Sequence, residues 1–304
     1  MENMYFKNDA ELRKYKTLKV IKYIFIYIFL AIFALFTLLP FYWMIATSLK
    51  TTGELDFIPQ NTSETLTTLY PQFKNGWQNS YTQIFTNDRY SILFRFMLNT
   101  IIVGVMTTLI SVCITILAAF AFARLSFKGR DKLFTVLLST MMIPGEMMII
   151  TNFTTVSKLG WINPNSYTAM IIPFTASVFY TFFLMQNFKQ IPNELYYAAK
   201  VDGNNDFQYL FKVMIPIARP SIITITILSM IGSWNAYIWP RTVASGNMRL
   251  VTDGIMSLFS SENGASTENQ IMAAATLISL PLLLAFIIFR KYIMRGVSRS
   301  GIKG

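Results

Sequence analysis

Phe96-Met-Leu-Asn-Thr-Ile-Ile-Val-Gly-Val-Met-Thr-Thr-Leu-Ile-Ser-Val-Cys-Ile-Thr-Ile-Leu-Ala-Ala-Phe-Ala-Phe-Ala123 contains no Asp, Glu, Lys or Arg, and Arg124-Leu-Ser-Phe-Lys-Gly-Arg130 follows it directly. A helix needs about 20 apolar residues to cross the hydrocarbon core of a bilayer, and bases gather where it leaves the core for the headgroups. This stretch therefore reads as one membrane span with its basic end anchored. Equivalent charge-free windows run from Tyr23 to Leu49, Leu159 to Phe188, Pro220 to Pro240 and Asn269 to Phe289. Another, Leu133 to Ser157, is interrupted only by Glu146, beside Pro144 and Gly145, so that span is expected to bend or end there. Over the 304 residues, 53% are hydrophobic and only 13% charged, too apolar and too poor in charge for a soluble globular chain. The fold class is all-α: a polytopic membrane protein with six transmembrane helices.

Nineteen of the 26 Lys and Arg lie in four segments: the N-terminal tail, the loop after span two, the loop between spans four and five, and the C-terminal tail. Cytoplasmic flanks retain positive charge, so both termini and these loops are expected inside. The organisation that follows is a cytoplasmic tail over 1–22, a first transmembrane helix over 23–49 and an external loop over 50–95. A core over 96–292 holds five further helices and a loop at 189–219, and a cytoplasmic tail covers 293–304. The net charge of +11 is accounted for by this bias and by attraction to anionic lipid, and no nucleic-acid partner is needed. The external loop, broken by Pro59, Pro71, Trp77 and Tyr81, is expected to form a lip of short helices, and Trp77 to Phe85 fits an amphipathic segment on the outer surface.

Chemistry is thinly represented. Cys113 is the sole cysteine and lies in mid-span, and there is no histidine, which removes the commonest metal ligand and general base. An ion-coupled secondary transporter or channel, the alternative function, would be expected to carry ionisable groups within the membrane, and Glu146 alone comes near. A phosphate-cradling loop would need Gly, four residues, then Gly-Lys-Ser/Thr; Gly296 to Gly301 followed by Ile302-Lys303 displaces the lysine, so no nucleotide site is expected in this chain.

The loop after span four reads Ile191-Pro-Asn-Glu-Leu-Tyr-Tyr-Ala-Ala-Lys-Val-Asp-Gly-Asn-Asn-Asp-Phe207 and runs on through Ile215-Pro-Ile-Ala-Arg-Pro220. Pro192 fixes the first turn of a short helix, Ala198 and Ala199 offer a face for close approach, and Gly203 suits a left-handed stop after Asp202. Asn205 or Asp206 caps a second helix whose Phe207, Leu210, Phe211 and Met214 recur at helical spacing, and Pro216 closes it. The spacing of Pro192, Glu194, Ala198, Ala199, Asp202, Gly203, Pro216 and Pro220 resembles the cytoplasmic loop of ABC importer permeases. Two positions depart from that pattern, Tyr197 in place of the usual Glu and Asn204 in place of the usual Ala. Ala118-Ala-Phe-Ala-Phe-Ala-Arg124 and Phe127-Lys-Gly-Arg130 are similar to the family's carbohydrate branch, as is Trp234-Asn235 in span five.

The resemblance implies a coupling helix between spans four and five that docks on an ATPase subunit. Its contact residues would be Pro192, Glu194, Tyr197, Ala198, Ala199, Asp202, Gly203 and Phe207. It also implies a second homologous permease, two ATPase subunits holding ATP and Mg, an extracytoplasmic solute-binding protein and a prokaryotic cytoplasmic membrane. This chain would not itself be an enzyme. In span five, Trp234, Asn235 and Tyr237 are candidates for the translocation path of a sugar or oligosaccharide; the Asn235 amide fits either helix packing or that path, and Tyr237 and Trp239 also fit an interfacial aromatic belt. The basic tail resembles the family's glycine-patterned terminus with its register off by one, which implies that Gly301 and Lys303 contact the ATPase subunits.

Overall fold

The computed structural model describes residues 9–57, 64, 68–69, 78–86, 88–162, 167–259 and 268–298. Among the described residues all regular structure is helical. The principal helices are α1 (Asp9–Ser48), α2 (Asp88–Arg124), α3 (Arg130–Thr140), α4 (Ile149–Lys158), α5 (Val178–Lys189) and α6 (Asn193–Val201). They continue as α7 (Asp206–Ile217), α8 (Arg219–Trp234), α9 (Ile238–Val243), α10 (Val251–Phe259) and α11 (Glu268–Ser298). Three helices are long and apolar enough to cross a membrane, Arg13–Ser48, Ile92–Arg124 and Glu268–Ile288. Three bent pairs pass the same test together: Arg130–Thr140 with Gly145–Lys158 at 90°, Thr168–Phe174 with Val178–Lys189 at 42°, and Asp206–Ile217 with Arg219–Trp234 at 80°. With each pair as one span, the count reaches six.

The bend expected around Pro144 to Glu146 is present, because Pro144 opens a 3-10 turn between α3 and α4 and withholds a backbone donor there. Helices also extend beyond the apolar windows. Regular helix begins at Asp9, inside the segment read as a tail, and at Asp88, inside the segment read as external loop. It runs through Ser298 at the far end. The Leu159–Phe188 window is not one helix: α4 ends at Lys158, Gly160 turns the chain with φ +69°, and helix resumes at Thr168. The Pro220–Pro240 window also breaks, at Asn235 to Tyr237, between α8 and α9. Freedom from charge marks an apolar environment and does not mark continuity of the helix.

The chain divides into two compact units, residues 1–84 with 263–276, and residues 85–262 with 277–304. In the first, the C-terminal end of α1 is tied to the short segments that follow it. Thr51 and Glu54 form a reciprocal capping box on Thr52–Leu55, and the Ser48 and Tyr81 hydroxyls lie 2.8 Å apart. Lys50, 4% exposed, places its ammonium 4.9 Å from the centre of the Trp43 ring and donates to the Thr68 carbonyl. Burial lowers the Lys50 pKa, opposed by the Glu54 carboxylate. Asn269 Nδ2 donates to the Lys50 carbonyl at 3.1 Å.

In the second unit α2 packs against α5 and α8 and carries a core cluster at each end. One cluster joins Ala119, Phe120 and Phe122 of α2 to Leu184, Met185 and Phe188 of α5, Ala199 of α6, Tyr209, Leu210 and Met214 of α7, and Ile225 of α8. The other joins Val103 of α2 to Val156 of α4, Ala169 to Ile171, Trp239 and Val243 of α9, Met248 and Leu250. Sixteen residues of helix, about 24 Å, separate Val103 from Ala119.

Candidate functional site

The loop between α5 and α8 is built from local constraints. Pro192 is the N-cap of α6 rather than its first helical residue, with φ −57° and ψ 141°. Glu194 sits in the first turn and Lys200 in the last, each on the side of the helix dipole that favours its charge. Asp202 is the C-cap and Gly203 follows at φ +80°. The Gly203 N–H donates to the Lys200 carbonyl at 3.0 Å and the Asn204 N–H reaches back to the Ala199 carbonyl at 2.9 Å, the paired bonds of a Schellman stop. A Cβ at Gly203 would meet nothing within 4 Å, so the requirement for glycine is conformational and not spatial. Of the two residues expected to cap the next helix, Asn205 does so, in a reciprocal box with Gln208 at 2.8 Å in both directions.

Asp206 serves instead as a brace between the two helices. It accepts from Tyr196 Oη at 2.8 Å and pairs with Lys200 Nζ at 2.8 Å, and the Tyr196 ring meets Tyr209 edge-on at 5.0 Å. Hydrogen bonds from Lys200 and then Tyr196 hold the Asp206 carboxyl below the usual carboxylate range. The Asp206 bond raises Lys200, while burial and then the bond to Asp206 raise Tyr196.

The two alanines differ in burial. Ala199 is buried in the core cluster, and Ala198 is exposed. With Glu194, Tyr197 and Val201 at positions i, i+3, i+4 and i+7, Ala198 forms one exposed stripe along α6, on which Tyr197 is 64% and Val201 88% exposed. The second apolar set also splits, Leu210 and Met214 going inward and Phe207 and Phe211 outward. A π-helical turn over Leu210–Met214 shifts the register within that set.

The span-five candidates separate as well. Trp234 is buried, Asn235 is exposed as the C-cap of α8, and Tyr237 is half-buried with its hydroxyl accepting from Arg241. The Asn235 amide donates to Ile231 of its own helix at 3.0 Å, so it makes no bond to another helix there. Trp239 does not belong to an interfacial belt: it is buried, its indole N–H donates to the Ala169 carbonyl at 3.0 Å, and its ring meets Phe174 at 5.6 Å. Gly301 and Lys303 lie outside the described residues, as does Trp77.

Sequence reading passed over a polar network at the opposite end of α2. Asn99 Nδ2 donates to the carbonyls of Asn247 at 2.8 Å and Arg249 at 3.1 Å, and Asn99 Oδ1 accepts from Tyr167 at 2.9 Å. Thr100 Oγ1 accepts from the Val251 N–H at 2.9 Å. Asp253 is buried, 3.6 Å from Arg249 and 4.0 Å from Arg241. The signal available was the Asn99 amide within a charge-free window, where a buried amide must find partners. Among the described residues no three His, Cys, Asp or Glu gather to hold a metal ion.

Residues 111–299, which span the loop and both flanking helices, match the family described as the binding-protein-dependent transport system inner membrane component. The chain belongs to this family. The permease is 30% identical over 296 residues to the polygalacturonan/rhamnogalacturonan transport system permease protein YtcP of Bacillus subtilis, covering 92% of this chain and 97% of that protein. It is 29% identical over 278 residues to the arabinooligosaccharides transport system permease protein AraQ of the same organism, covering 91% and 94%. Its fold matches a chain in the crystal structure of a bacterial ABC transporter involved in the import of the acidic polysaccharide alginate, with a TM-score of 0.73, 22% identity, and coverage of 94% of this chain and 99% of that one.

Proposed function

We propose that this permease is one of two homologous membrane subunits of an ATP-driven, binding-protein-dependent importer that carries a sugar or oligosaccharide across a prokaryotic cytoplasmic membrane. Six spans with both termini inside fit the three long helices, the three bent pairs and the placement of Lys and Arg. The substrate class follows from the relatives, whose names specify polygalacturonan or rhamnogalacturonan and arabinooligosaccharides. Two separate ATPase subunits would hydrolyse the ATP, and an external binding protein would deliver the substrate.

The observation that carries the mechanism is the knob formed by α6 and the start of α7. Its Schellman stop and the Lys200–Tyr196–Asp206 brace make it rigid, its inner face is locked into the core through Ala199, and its outer face presents Glu194, Tyr197, Ala198 and Val201. A rigid knob seated in an ATPase cleft turns closure of the ATPase dimer into rotation of the helices behind it, and the cavity opens alternately to each side. Exposed Phe207 and Phe211 extend that contact surface.

Co-expression with a candidate partner permease and ATPase, followed by detergent purification, tests the reading. Wild type is expected to retain the ATPase, and Tyr197→Asp together with Val201→Asp to lose it while keeping the partner permease. Retention of the ATPase by that double variant rules out the knob as its dock.

A further inference from the structure

Arg124 ends α2 at a position where a base reads as a headgroup anchor, yet its guanidinium turns inward. Its Nη2 donates to the Phe188 carbonyl at 3.0 Å and to the Ile191 carbonyl, and its Nη1 donates to Asn193 Oδ1. Phe188 lies in the last turn of α5, where its carbonyl also accepts from the Ile191 N–H at 3.2 Å, and Ile191 belongs to the connection that leads to α6. Asn193 is the first residue of α6. One planar fork thus ties together the end of one helix, the link after it and the start of the next, from the tip of a third.

We propose that Arg124 is a positioning residue for transport, the joint that makes the end of α2 and the start of α6 move as one body, so that displacement of the knob reaches α2 directly as well as through α7 and α8. This rests on the coupling role proposed for α6. Arginine is required because its donors lie in a rigid plane that spans several acceptors at once, whereas a lysine ammonium is a point charge on a flexible stem. The same contrast separates this role from lipid anchoring, for which a lysine stem serves as well as arginine.

The test uses the full importer in liposomes, with a spin label on Leu195→Cys in a Cys113→Ser background; Leu195 is exposed on α6 and lies off the stripe of Glu194, Tyr197, Ala198 and Val201. Arg124→Lys is expected to retain the ATPase and ATP hydrolysis while uptake falls about tenfold, as loss of a charge-assisted hydrogen bond would give, and the label becomes more mobile. Lys128→Ala, a change at an exposed base in the same turn region, is expected to leave both readouts at wild type. Wild-type uptake and label mobility in Arg124→Lys overturn the proposal. Should that variant fail to assemble, Asn193→Ala removes one arm only: intermediate uptake and mobility support the joint, and wild-type values overturn it. The label also reports on the permease alone, so a wild type that retains no ATPase defeats the coupling role, while a label loosened by Arg124→Lys still establishes the joint.

Discussion

The two ends of α2 are held in opposite ways. At the Arg124 end, short-range contacts shape the knob: Tyr196 with Asp206, Lys200 with Asp206, Asn205 with Gln208, and the stop at Gly203. At the Asn99 end, a side chain of α2 reaches backbone carbonyls about half the chain away, at Asn247 and Arg249, and Thr100 receives the Val251 N–H. The first end uses charge and turn chemistry to make a rigid part that projects. The second uses an amide and a hydroxyl to seal a returning segment against the bundle. In the alternating-access mechanism proposed above, the first end is the lever and the second the seal.

The seal gives the largest expected effects. Asn99→Leu deprives two carbonyls and the Tyr167 hydroxyl of partners, and the loss of stability is expected to be about 3 kcal/mol. Thermal unfolding in detergent measures it, with proteolysis confined to the 236–259 segment rising first. A smaller cost is expected for Gly254→Ala, whose Cβ would come 2.1 Å from Cδ2 of the Phe96 ring. The strain amounts to about 2 kcal/mol and is relieved in the double variant with Phe96→Leu. Additive losses in the double variant would show that the two positions do not press on one another.

At the lever, Gly203→Ala meets no steric obstacle but must hold φ near +80°, which costs about 1 kcal/mol. Its expected signature is local: ATPase retention falls while the detergent melting point of the bundle barely moves. The smallest effect is the pH dependence of the brace. Asp206 titrates below its ordinary value of 3.8, so its contribution is complete above that value and fades as pH falls through the lowered one. Lys200 is raised above 10.5, so its contribution holds below that value and fades as pH rises through the raised one. Hydrogen exchange of the 196–209 amides is expected to be protected across the interval between, and Asp206→Asn to abolish the acid-side change. An unaltered acid-side profile in Asp206→Asn would remove the carboxylate from the brace.

The contrast also explains what could be read from the amino acids. The knob was legible because its determinants are local: a glycine forced into the left-handed region, an Asn with Gln three residues on, a proline before a helix. The inward turn of Arg124 was not, since a base at the end of a span is ordinary and only the fold reveals three acceptors around it. The seal was hidden for another reason. Backbone carbonyls are common to every residue, so Asn99 carries no mark of its partners, and a charge-free window conceals a break such as that at Asn235. The division of Phe207 and Phe211 from Leu210 and Met214 likewise depends on the π-helical turn, which no simple periodicity announces.

Contacts separated by few residues close early in chain growth, and distant ones must wait for their partners to be made. The brace from Tyr196 to Tyr209 is complete within a short stretch, so the knob can form as soon as that stretch is synthesised. Asn99 is inserted long before Asn247, Arg249 and Val251 exist. For that interval its amide has only water, lipid headgroups or the insertion machinery for partners, whereas the Thr100 hydroxyl beside it already donates to the Phe96 carbonyl of its own helix at 2.8 Å. Biogenesis of this permease therefore passes through a state in which the lever is finished and the seal is not, and a nascent chain that stalls before Val251 would be the one most exposed to quality-control proteolysis.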